Sequence, residues 1–158
     1  MNNLKQYSDE QLVRLVEEGW VTEADFIDSG ICPTCFSREH DNVLYGDISE
    51  RILYENDEYQ CFLVDRPRTD GHIIVISQNH YKNMVEADDS ICEKLFVFAK
   101  KVMNCMKMVY GCESVYLCTM CDGPMNHFHV ELIPRYCHEN VGSDIFVKYR
   151  IYFLNLPL

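Results

Sequence analysis

Residues 126–133 read Asn-His-Phe-His-Val-Glu-Leu-Ile. Polar and apolar side chains alternate with a period of two, the period of a β-strand. On one face such a strand carries His127, His129 and Glu131, on the other Phe128, Val130 and Leu132. The apolar face needs a covering layer, which leaves the three ionisable groups in register on the face away from the core. A lone histidine on a strand is usually a surface or satisfied polar residue. Two histidines and a carboxylate on one face point instead to a site.

The surrounding sequence supplies the covering layer. Ser90 and Glu93 have capping-box spacing and open a long helix ending near Gly111, with Leu95, Phe98, Ala99, Val102, Cys105, Met106 and Val109 as its apolar stripe. Residues 51–55 and 59–65 are strand-like and flank Asn56, Asp57 and Glu58, a hairpin signal; 72–77 and 114–121 read as further strands. Residues 145–153 alternate in the same way. Near the start, Ser8 with Gln11 and Thr22 with Asp25 are capping boxes for two short helices ending at Gly19 and before Gly30. We therefore expect a helical extension over residues 1–30 and one domain over 31–158. The order of helices, strands, a long helix and more strands gives an α+β fold with a mainly antiparallel sheet.

Of 158 residues, 47% are apolar, enough for a core at a length where no disulfide staple is needed. The formal charge of −11 disfavours nucleic acid polymers, which would require a local basic groove, and no Lys/Arg run suggests one. The first residues, MNNLKQYSDEQ, contain no apolar leader, and no apolar run approaches the length of a membrane span. These features predict a cytoplasmic protein with no membrane partner. Nine cysteines in a reducing compartment imply metal ligands and buried thiols rather than disulfides.

Cys32 and Cys35 have the C-x-x-C spacing with which two thiolates reach one tetrahedral Zn²⁺, given two further ligands. Histidines are candidates. So are Cys118 and Cys121, which share the spacing but point to opposite faces unless the strand breaks at Thr119. The other five cysteines lack ligand spacing and read as small hydrophobes.

HFHVELIPR (127–135) resembles the signature of the histidine triad (HIT) superfamily, His-x-His-x-His followed by apolar residues and often Pro-Arg. ILYENDEYQCFLVDRP (52–67) and GHIIVISQNH (71–80) resemble the family's first hairpin and its Gly-His strand, so the likeness covers about residues 31–136. It implies a five-stranded antiparallel sheet packed on a long helix, usually in a two-fold dimer. It also implies a hydrolase or transferase that attacks the α-phosphate of a nucleotide conjugate through a nucleotidyl-histidine. On that resemblance His129 is the nucleophile and His72 lies near the phosphate. Asp65 binds the ribose, and Tyr54, Phe62 and Leu63 sandwich the base. In the family's zinc-bearing bacterial branch the matching positions, Cys32, Cys35, His80 and His127, hold a structural Zn²⁺.

The third triad histidine is Glu131 here. An ionised carboxylate there would repel the phosphate, so we expect Glu131 to be protonated, to point away, or to accompany a different substrate. If its charge limits turnover, Glu131→His alone should raise activity. Two other readings are open: a nucleotide-binding module weakened by Glu131, and a metal-dependent hydrolase with His127, His129 and Glu131 as ligands.

Overall fold

The computed structural model describes residues 3–121, 123–139 and 141–142. The expected strand at 145–153 lies outside them. Helices α1 (Asp9–Glu17) and α2 (Glu23–Asp28) start at the two capping boxes: Ser8 N–H donates to Gln11 Oε1 at 2.9 Å and Thr22 N–H to Asp25 Oδ2 at 2.8 Å. A third helix, α3 (Pro33–Glu39), was not expected. Cys32 is its N-cap and Pro33 its first residue, the position where proline's missing N–H removes no helical bond. The C-x-x-C motif thus opens a helix, and the helical segment continues beyond residue 30.

Strands β1 (Ile52–Glu55), β2 (Tyr59–Leu63), β3 (Ile73–Ser77), β4 (Ser114–Cys118) and β5 (His129–Arg135) form one sheet in the order β1-β2-β3-β5-β4, antiparallel at every pairing. Helix α4 (Asp89–Tyr110) covers one face. Its N-cap is Asp88 rather than Ser90, and it stops at Gly111, whose left-handed φ of 62° lets the N–H reach Lys107 O. Leu95, Ala99 and Met106 pack on Val75, Phe128, Val130 and Leu132, each burial contributing roughly 1.5–3 kcal/mol for the larger side chains. Cys105 and Val109 of the expected stripe are exposed. A second cluster, Leu4, Leu12, Val21, Phe26 and Phe36, holds the amino-terminal helices together.

Register fixes which side chains share the opposite face. Ile74 is paired with Glu131 and Ile76 with His129, while Phe62 faces Ile74 and Gln60 faces Ile76. These residues point away from α4. The register shifts between Ile52 and Tyr54, a bulge that reverses side-chain parity along β1. Tyr54 consequently stacks on Tyr59 and on Phe98 of α4, 5.0 Å between the Tyr54 and Phe98 ring centroids.

Candidate functional site

On the face away from α4, Glu131 and His127 are each only 3% exposed. His129 and Glu131 follow each other along β5, whereas His127 precedes the strand and is placed by its own hydrogen bonds. His129 Nδ1 lies 2.7 Å from His127 O. A carbonyl only accepts, so Nδ1 carries a proton and Nε2 of the neutral ring presents a lone pair. Burial pushes the His129 pKa down, but contacts with Cys121, His127 O and Glu131 outweigh it and hold the ring above its ordinary 6.5.

Glu131 points toward its histidine neighbours. Its Oε1 is 4.0 Å from His129 Nε2, and its Oε2 is 3.4 Å from His72 Nε2 and 3.6 Å from Arg68 Nε. Desolvation raises the Glu131 pKa, yet His72, Arg68 and His129 together hold it below the ordinary 4.5. Of the three expectations for Glu131, the geometry favours neither a raised pKa nor an outward side chain: the carboxyl faces inward with its pKa held below the ordinary range by His72, Arg68 and His129. Because its folded pKa is depressed, Glu131 adds stability above pH 4.5 that is lost as pH falls through the folded value. Urea midpoints of wild type and Glu131→Gln should therefore converge on acidification below that pH. A constant separation would contradict the ionised assignment.

Arg68 carries no motif and was missed in the sequence. It sits in the turn-rich loop between Asp65 and His72, and its backbone N–H donates to His72 Nδ1 at 3.3 Å. The neutral His72 ring must then carry its proton on Nε2, toward Glu131. Gly71 makes the loop possible: its φ is +77°, and a Cβ there would meet Tyr110 Cε2 at 2.9 Å. Gly71→Ala should cost about 1–3 kcal/mol in denaturant unfolding, from a strained φ and a ring contact combined. An unchanged midpoint would refute this.

A second cluster lies beside the first. Cys35 Sγ is 3.4 Å from both His80 Nδ1 and His127 Nδ1, Cys32 Sγ is 3.7 Å from His127 Nδ1, and all four ligand atoms fall within 4.8 Å of one another. Tetrahedral bonds of zinc to sulfur and nitrogen imply S···N edges of about 3.6 Å. His127 Nε2 donates to Ser77 O at 2.9 Å, which fixes the ring with Nδ1 toward the thiols. The two thiols titrate as a pair. Hydrogen bonding from Cys35 pulls Cys32 down, and the same hydrogen bond, burial and the Cys32 charge push Cys35 up. The donor set can hold a metal ion.

Cys118 and Cys121 do not join this cluster. β4 does end at Cys118, but Cys121 lies in the loop that follows, 3.9 Å from His129 Nδ1. Among the remaining cysteines, Cys61 is buried, its thiol pushed up to about 12 by burial, whereas Cys105 and Cys137 are exposed. The three-ligand set His127, His129 and Glu131 does not form either: among the described residues His127 is turned to the thiols and Ser77 O.

Beside His129 and Glu131 opens a cavity of about 480 Å³. Phe62, Val64, Ile74 and Ile76 of the sheet side line it, with Asp65 at its edge 3.9 Å from Arg51. Its other wall is the amino-terminal segment, through Thr34, Arg38 and Tyr45. Arg38 was also missed. It donates to Ser77 O at 3.0 Å, the same carbonyl that orients His127; the Cys32-Pro33 helix start is the signal that could have revealed its element. Tyr54 and Leu63 lie on the α4 face and are not among the residues that line this cavity. His72 is 2% exposed and lies behind Glu131 rather than on the cavity wall.

Residues 45–138 match the HIT domain family model. The chain belongs to the HIT family. An uncharacterised HIT-like protein of Borreliella burgdorferi is 30% identical over 106 residues, 63% of this chain and 76% of that protein. The fold is shared with a Zn-bound histidine triad family protein from Mycobacterium smegmatis (TM-score 0.53, 16% identity, 58% of this chain and 69% of that one). It is shared too with the diadenosine triphosphate hydrolase of Plasmodium falciparum (TM-score 0.55, 13% identity, 64% and 71%). Among the described residues of this HIT protein, no helix is long and apolar enough to cross a membrane.

Proposed function

We propose that this HIT protein is a hydrolase or transferase acting at the α-phosphate of a nucleotide conjugate, with His129 as nucleophile. The observation that carries the reading is the His129 tautomer: Nδ1 is tied to His127 O at 2.7 Å and Nε2 is left beside the cavity. In the first step the Nε2 lone pair forms a P–N bond while the bond from phosphorus to the leaving group breaks; the leaving group departs with the electron pair and takes a proton. Water, or an acceptor in a transfer, then forms a P–O bond, the P–N electron pair returns to Nε2, and the attacking oxygen loses its proton. Phe62, Ile74 and Ile76 offer an apolar surface for the base and Asp65 a carboxylate for ribose hydroxyls.

The thiolate and imidazole donors of Cys32, Cys35, His80 and His127 suit Zn²⁺. With four protein ligands the ion would have no open position and would serve structure, tying α3 to the segment before β5. Nine free cysteines fit a reducing cytoplasm. The β4 edge and the exposed Val97, Met108 and Val109 on α4 support a two-fold dimer.

Incubation with nucleotide conjugates bearing amine, polyphosphate or sugar-phosphate leaving groups, read by mass spectrometry, tests the activity. Release of a nucleoside monophosphate, or its transfer to an acceptor, is the expected result. Affinity without product would instead identify a binding module.

A further inference from the structure

We propose that Arg68 and Glu131 act as a pair in place of the third triad histidine, Arg68 being the positioning residue that makes a carboxylate compatible with a bound phosphate. The inference rests on the proposed function and deepens it. A buried anion at the cavity wall, 4.0 Å from the attacking nitrogen, would by itself disfavour any phosphorylated ligand. Arg68 meets that anion twice. Its guanidinium Nε is 3.6 Å from Glu131 Oε2, and its backbone N–H fixes the His72 tautomer whose Nε2 lies 3.4 Å from the same oxygen.

Exposure and contacts show that the pair is built in. The Arg68 side chain is 13% exposed and the Glu131 side chain 4%, and Arg68 Nη2 also reaches Met120 Sδ at 4.0 Å. Glu131 lines the cavity, whereas Arg68 approaches it from behind. Arg68 therefore acts through Glu131. Facing the carboxylate are Arg68, His72 and His129, and Cys118 lies opposite it on β4. The sequence expectation for Glu131→His is revised accordingly: that change alone removes the carboxylate that Arg68, His72 and His129 face, so the neutralising partner must change with it.

The test compares wild type, Arg68→Gln, Glu131→Gln and the double variant. Calorimetry would measure affinity for the four common nucleoside 5′-monophosphates and for the matching nucleosides, with thermal midpoints recorded in parallel. Arg68→Gln should weaken monophosphate binding by about tenfold or more and leave nucleoside binding unchanged, because only the phosphate meets the uncompensated charge. The double variant should return monophosphate affinity to within about threefold of wild type. Equal losses for monophosphate and nucleoside, or no recovery in the double variant, would overturn the pairing. If wild type binds no nucleotide, the functional reading fails by itself and the midpoints decide the pair: Arg68→Gln must lower the midpoint more than the double variant does, and additive losses would overturn it.

Discussion

His129→Asn lowers turnover of the best nucleotide conjugate by at least about 10³-fold while metal content and thermal midpoint stay near wild type. The asparagine amide nitrogen falls close to the place of Nδ1 and can keep the hydrogen bond to His127 O, which is 2.7 Å long in the native protein. What it lacks is the Nε2 lone pair. The hydrogen bond that positions the segment is retained, so loss of rate with an unchanged midpoint and metal content reports loss of the attacking atom. The companion measurement is capture of a nucleotidyl adduct on the wild type, analysed without acid because a P–N bond is acid-labile. An asparagine variant retaining most of the wild-type rate would sink the covalent mechanism.

Replacing Cys32 and Cys35 together by serine should remove the metal and lower stability by several kcal/mol, a large part of the roughly 5–15 kcal/mol that holds a domain folded. The loss should be uneven. The sheet and α4 keep their own core of Val75, Leu95, Phe128, Val130 and Leu132, whereas α3 loses its tie to His80 and His127 and keeps the Arg38 bonds to Ser77 O and Gln78 O. Hydrogen exchange should accelerate first between Leu4 and Leu44 and least in α4 and β5. Nucleotide affinity should fall too, since Thr34 and Arg38 of α3 form part of the cavity wall. Full zinc retention in the double serine variant would place the ion elsewhere.

Glu131 shows how a strand's period places a residue without deciding its charge state. Alternation along 127–133 placed Glu131 beside His129, because the period of a strand is a local property of the backbone. Whether the carboxylate is neutral, averted or paired depends on what covers it, and that is Arg68, 63 positions away along the chain and carried on a loop with no regular period. The position of Tyr54 has a related cause. The resemblance assigned Tyr54 to the base together with Phe62, but Tyr54 pairs with Cys61 on the α4 face, and the bulge between Ile52 and Tyr54 leaves only Ile52 in register with Phe62.

By itself the sequence determined the order of α1, α2, α4 and the five strands, the apolar face of β5, the helix that covers it, and the family. Each follows from short-range periodicity or from a contiguous motif. The tertiary structure alone decided the third helix's position against the sheet, the convergence of Cys32, Cys35, His80 and His127, the charge compensation of Glu131 and the walls of the cavity. These depend on side chains from distant segments meeting at a few ångströms. Hydrogen bonds and charge fix such contacts only when the backbone has brought the partners together, so no local pattern announces them.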